Sequence, residues 1–174
     1  MGYTTDFTGR FNLDRSLRHE HNAYLEAFSE TRRMRRNPAI AGMAADPIRV
    51  ATGLPIGEEC SYFVGGGGFA GQDRDSSIID YNNAPGEGSL HPWRQPGLWC
   101  QWAPTEDGCG IEWNGCEKFY NYTEWLQYII DHFLSPWGYV LTGEVSWQGE
   151  EASDRGIIAV NNGKVESREI SSST

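Results

Sequence analysis

The chain has 174 residues, 13% of them aromatic and seven of them Trp, and a formal net charge of -10. That is enough material for one core; no apolar run reaches the roughly eighteen residues that would span a membrane; and the acid excess argues against ordinary binding to a phosphate backbone. The excess is uneven, since residues 1–50 hold eight basic against six acidic side chains and residues 51–174 hold six against eighteen.

The opening MGYTTDFTGRFNL lacks the basic start and apolar stretch of a secretion signal. Asp6 stands where a myristoylation signal carries Ser or Thr, so a cytoplasmic protein is expected. In the same stretch Tyr3, Thr5, Phe7, Gly9, Phe11 and Leu13 alternate with polar residues, which predicts a half-buried strand. Asp14 or Ser16 then offers a helix cap, and Leu17, His21, Tyr24, Leu25 and Phe28 follow at helical spacing. This first helix is predicted to run to about Arg36 and to stop before Asn37-Pro38.

Residues 37–97 are rich in Pro, Gly, Ala, Asp and Asn and carry little periodicity. They read as a long loop insertion, suited to a lid or binding insert, with a short strand at Ser61–Val64. Two strands, Leu98–Trp102 and Cys109–Trp113, then flank a turn at Pro104, Asp107 and Gly108. A second helix is predicted over Tyr120–Ser135, with Tyr122, Leu126, Ile129, Ile130 and Phe133 as its apolar stripe. After Pro136 comes a meander: a strand through Leu141–Trp147, a polar turn at Gly149–Arg155, the strand GIIAV, and a reversal at Asn162-Gly163 into KVESREI. The expected architecture is α+β, one domain over residues 1–170 and a frayed tail at 171–174. An antiparallel sheet of about five to six strands would carry two helices on one face.

The stretch FVGGGGFAGQDRD has the G-x-G-x-x-G spacing as Gly66, Gly68 and Gly71, but no Lys-Ser/Thr follows. Asp73 and Asp75 would repel a pyrophosphate, so a flexible joint or a close backbone packing point is the preferred reading over nucleotide binding. Gly66 and Gly67, with Gln72, Asp73, Arg74 and Asp75, are nevertheless candidate binding residues, because Arg74 can offer its fork to a partner's carboxylate. Trp93-Arg94 and Trp99 have the character of a protein-binding anchor. Trp99 and Trp102 would point to opposite faces of one strand, placing one of them outside the main core. The four arginines Arg32, Arg33, Arg35 and Arg36 exceed what a helix end needs. Pairing within the chain is favoured for them, and contact with the acidic face of a second copy is the route by which a homo-oligomer would form.

Cys60, Cys100, Cys109 and Cys116 show no C-x-x-C spacing, and His19 and His21 fall on different helix faces. No cofactor, metal or catalytic set is therefore expected. The many carboxylates, among them Glu144, Glu150, Glu151 and Asp154, single out no catalytic pair.

The motifs FVGGGGFAGQDRD, GLWCQW.PTEDG, IEWNG.EKFYNY and PWGYVL.GEV.WQGE resemble a family of small uncharacterised proteins of bacteria and their phages. The resemblance runs over roughly residues 1–168, strongest over 97–150, and brings no activity or catalytic residues. It implies an accessory protein, phage- or mobile-element-linked, acting on a host or defence component. The expected function is a non-enzymatic, inhibitor-type binding protein with an acidic face for a basic protein partner, and with no direct nucleic-acid or membrane binding. The alternative is a small-ligand or nucleotide-binding protein or enzyme with a pocket under the 37–97 loop.

Overall fold

The computed structural model describes residues 2–65 and 76–170. In chain order the elements are β1 (Asp6–Thr8), β2 (Phe11–Leu13), α1 (His19–Ser29), β3 (Arg35–Arg36), α2 (Pro38–Ala41), α3 (Pro47–Thr52), a 3-10 turn (Glu58–Cys60) and β4 (Ile78–Asp80). They continue with β5 (Trp102–Pro104), β6 (Gly110–Trp113), α4 (Tyr122–Ile129), a π turn (Ile130–Leu134), β7 (Leu141–Gln148), β8 (Arg155–Asn161) and β9 (Lys164–Glu169). The class is α+β, as expected. Two compact units divide the chain: Met1–Leu17 with Gln101–Thr174, and Arg18–Cys100.

The first unit is built on an antiparallel sheet in the order β5-β6-β2-β7-β8-β9, with β1 also paired to β7; among the described residues it has seven strands. The predicted first strand is broken in two. Gly9 lies at φ +107° and the facing Gly143 of β7 at φ +129°, where side chains are rarely tolerated. The kink lets β2 pair with β6 and β7 while β1 pairs with the far end of β7, Phe7 opposite Trp147. Phe7, Phe11 and Leu13 stay on the buried side throughout. Around Phe7 the rings of Trp102, Trp113, Phe119 and Tyr122 stand at centroid distances of 5.0–5.8 Å, edge-on or tilted.

Helix α4 buries Trp125, Leu126, Tyr128 and Ile129. The π turn then inserts one extra residue, seen in the bonds from Ser135 N–H to Ile130 O and from Tyr139 N–H to Leu134 O. That shift keeps Ile130, Phe133 and Leu134 buried together. The Gln127 amide fastens α4 to the last hairpin: its Nε2 donates to Gly163 O at 2.8 Å and its Oε1 accepts from Val165 N–H at 2.9 Å. That hairpin turns at Asn162 (φ 53°) and Gly163 (φ 75°), the two left-handed positions of a tight two-residue turn.

The first of the two middle strands begins at Trp102, four residues later than expected. Trp102 is 2% exposed and donates its indole N–H to Tyr122 O, whereas Trp99 is half-buried outside any strand. At the β5–β6 turn Asp107 accepts from Thr105 Oγ1 (2.6 Å), Cys109 N–H (3.0 Å) and Arg10 Nη1 (3.0 Å). These donors, Thr105 foremost, pull its pKa down to about 2. A depressed carboxylate stabilises the turn above its ordinary pKa near 3.8, and that contribution is lost as pH falls through about 2. A carboxyl-detected NMR titration should place the Asp107 midpoint at about 2; a midpoint at its ordinary value would show that the three bonds are not formed in solution.

In the second unit α1 stops at Ser29 rather than Arg36. The apolar periodicity ends with Phe28, and Ser29 and Thr31 hydroxyls take the carbonyls of Glu26 and Ala27 in place of further helical N–H groups. Asn37-Pro38, expected only to terminate a helix, starts one: Asn37 Oδ1 accepts from Ala39 N–H and Pro38 fills the first turn of α2. The predicted strand Ser61–Val64 is absent. That stretch follows the 3-10 turn, and Glu59 (φ 51°) and Cys60 (φ 65°) carry left-handed backbone there. The stretch expected to be loop contributes α2, α3 and β4, and β4 pairs antiparallel with β3.

Candidate interaction surface

The charge asymmetry follows the two units. Residues 1–17 with 101–174 hold fourteen acidic against six basic side chains, and residues 18–100 hold ten against eight. Within the first unit several acids are neutralised locally. Asp107 meets Arg10 at 3.0 Å, Asp14 meets Arg15 at 3.6 Å, and Glu117 meets Lys118 at 3.7 Å. Glu144 meets Arg168 at 3.7 Å across the outer sheet face.

The end of the sheet where β7 turns into β8 is different. Tyr3 Oη donates to Asp154 Oδ2 at 2.7 Å, and the Trp147 indole N–H donates to Asp154 Oδ1 at 3.2 Å. Thr4 N–H donates to Glu150 Oε1 at 2.7 Å, and Glu151 N–H donates to Tyr3 Oη. The N-terminal residues are thereby laid along the turn. Tyr3 N–H reaches Tyr120 Oη at 3.3 Å, so Tyr120 joins the same group. Burial and then the negative charges of Asp154, Glu124 and Glu169 push the Tyr122 hydroxyl above its ordinary pKa. The Asp154 bond does the same to Tyr3. Among the described residues no cation pairs with Glu124, Glu150, Glu151, Asp154 or Glu169. Tyr3 and Tyr120 are 37% and 53% exposed. Glu150, Glu151 and Asp154 therefore gather at the exposed Tyr3 and Tyr120, and Glu124 and Glu169 lie near Tyr122. Asp6, Glu106, Glu112, Asp131 and Glu166 also lack a cation; they sit on β1, the β5–β6 hairpin, the π turn and the middle of β9.

No protein-family model, curated protein or solved structure matches this chain.

Of the candidate binding residues, Gly66, Gly67, Gln72, Asp73, Arg74 and Asp75 lie outside the described residues. Trp93, Arg94 and Trp99 lie in the second unit. Trp93 is half-buried and stacks on His91 at 4.7 Å, and Arg94 is exposed with Nη1 donating to Ser89 O. The structure brings Trp93 and Arg94 onto one loop with His91; it gives Trp99 no ring contact or hydrogen bond among the described residues.

The four arginines are spent inside their own unit. Arg33 and Arg36 are 2% and 3% exposed. Arg33 donates to Ser61 O, Phe63 O and Gln95 Oε1, and Arg36 donates to Ser77 Oγ and lies 4.8 Å over Phe63. Arg35 meets Glu59 at 2.7 Å, and Arg32 donates to Tyr81 O and covers the Tyr81 ring. Self-pairing is the finding. Arg33 and Arg36 are too deeply covered to reach the acidic face of a second copy, which corrects the sequence-based route to a homo-oligomer for those two.

Sequence reading missed Tyr3, Tyr120 and Tyr122 as parts of the site, and did not separate Asp154 from the other acids. The available signal was the acidic turn GEEASD following a Trp-bearing strand. Its meeting with the N-terminal tyrosine, 151 residues away, is a long-range event. Among the described residues no group of three His, Cys, Asp or Glu could hold a metal, and no helix is long and apolar enough to cross a membrane.

Proposed function

We propose that the protein is a cytoplasmic, non-enzymatic, inhibitor-type binding protein. The acidic end formed by Tyr3, Tyr120, Glu124, Glu150, Glu151, Asp154 and Glu169 docks on a basic protein surface. The observation that carries this reading is that Glu150, Glu151 and Asp154, gathered at the exposed Tyr3, and Glu124 and Glu169 near Tyr122 have no cation among the described residues, whereas Asp14, Asp107, Glu117 and Glu144 do. Such a surface accelerates encounter with a cationic partner and rejects anionic ones, and exposed phenol rings add contact area at low entropic cost. The phage-like motifs support an accessory role directed at a basic host or defence complex. The acid excess of this end favours a protein partner over nucleic acid.

The test is affinity capture of a partner from bacterial lysate, followed by binding of that purified partner at low and high salt. Affinity should fall at least about tenfold between 50 and 500 mM salt. It should fall by a similar factor in the triple variant Glu124→Lys, Glu151→Lys, Glu169→Lys, whose side chains carry no tertiary hydrogen bond. A captured partner whose affinity ignores both changes would refute this mode of binding.

A further inference from the structure

On the outer face of the sheet in the first unit, β1, β7 and β8 frame an open hollow of about 310 Å³, at the small end of small-ligand sites. Asp6 and Thr8 form one wall, Ser146 and Gln148 the floor, and Arg155 and Ile170 the other wall. The strand register explains the arrangement. Asp6 lies opposite Gln148, and Gln148 lies opposite Arg155, so one row across three strands reads acid, amide, base. The next row sets Thr8 opposite Ser146, which adds two hydroxyls beneath the charged pair.

The two charges face each other without meeting. Two strand spacings, roughly 10 Å, separate their backbones, and no ion pair joins them within the described residues. Neither the Asp6 carboxylate nor the Arg155 guanidinium makes any hydrogen bond to a described residue, and Arg155 Nε is fully covered with no partner. The Gln148 amide nitrogen is not available to Asp6, because it is turned onto the carbonyls of Gly149, Glu151 and Asp154. A covered guanidinium nitrogen with no acceptor is costly, and a planar fork is shaped for a carboxylate.

We propose that this hollow is a binding site for a free α-amino acid. The ligand's carboxylate takes the Arg155 fork and the Ser146 and Thr8 hydroxyls. Its ammonium faces Asp6, and its side chain lies toward exposed Ile170. An ammonium and a carboxylate a few ångströms apart in one small molecule satisfy both walls at once, which neither a simple anion nor a simple amine does. The uncompensated Glu150 and Glu151 beyond the β7 end disfavour a ligand of net negative charge, so neutral and basic amino acids bind better than aspartate or glutamate.

The experiment is a ¹H–¹⁵N NMR titration of the full chain with glycine, serine, glutamine, arginine and glutamate in turn. Saturable shifts are expected at the Thr8, Ser146, Gly156 and Ile170 amides for at least one neutral or basic amino acid. The matching N-acetyl amino acid and the decarboxylated amine should each bind at least tenfold more weakly. Arg155→Gln and Asp6→Asn should each weaken binding at least tenfold while keeping a dispersed spectrum. Should Arg155→Gln lose its fold, Arg155→Lys, which keeps the charge and loses the fork, should show the same tenfold loss. Absence of shifts with all five amino acids, or shifts that persist unchanged in the Arg155 variant, would overturn the assignment. Equal binding of acetate would overturn it too. None of the three charge-reversal positions used to test partner docking lines the hollow, so the two ideas fail separately.

Discussion

Arg33→Leu should destabilise the Arg18–Cys100 unit by about 3–5 kcal/mol, read as a lowered urea midpoint for a probe within that unit. The side chain is 2% exposed, and its three nitrogens each donate inside the unit: Nη2 to Ser61 O at 2.6 Å, Nη1 to Phe63 O at 2.8 Å and Nε to Gln95 Oε1 at 3.3 Å. Its guanidinium carbon sits 4.2 Å over the Phe28 ring. Leucine fills part of the volume but strands those acceptors, and each buried acceptor left without a donor costs about 1–3 kcal/mol. Ser61 O retains one donor, the Gln95 amide, so the loss is smaller than three full penalties. Arg33→Lys should recover less than half, because one ammonium cannot span three divergent acceptors. A leucine variant within about 1 kcal/mol of the parent would show that the guanidinium does not organise this interior.

Gly156→Ala should cost about 2–4 kcal/mol in the first unit, at the upper end of what overpacking a filled site costs. Gly156 of β8 faces Trp147 of β7. A methyl group there would overlap both the Trp147 benzo ring and the Arg168 carbonyl. The ring cannot swing away cheaply, since its N–H is bonded to Asp154, which in turn holds Tyr3. The variant should therefore also free the N-terminal residues, seen as faster amide exchange at Thr4. Adding Trp147→Phe should restore at least 1 kcal/mol relative to the sum of the single effects, because the shorter ring vacates the contested space. Strict additivity would show that the carbonyl of Arg168, and not the indole, is the obstacle.

These two positions also show what could be read beforehand. The meander of β7, β8 and β9 was legible because period-2 alternation and Asn162-Gly163 are local signals, and the structure realises them nearly residue for residue. The acidic bias of the C-terminal part was legible as a count. Its geometry was not, because the count does not say which acids find Arg10, Arg15, Lys118 or Arg168. Pairing of Arg33 within the chain was legible, but its depth was not, because only tertiary carbonyls converging from Ser61 and Phe63 make burial tolerable. Residues 37–97 looked structureless because their described elements are three to six residues long, too short to show a period. The Asp6–Gln148–Arg155 row could not be seen, since its members are brought together only by strand pairing across the whole chain.

The insertion of Arg18–Cys100 between β2 and β5 sets an order of events on the ribosome. β1 and β2 emerge first, yet their partner β7 is made only after some 130 further residues, a delay on the order of ten seconds at ordinary elongation speed. During that interval the inserted segment is complete and free to fold. Phe7 and Phe11 meanwhile lack the strand they pair beside, which leaves the β1–β2 segment aggregation-prone until β7 is made.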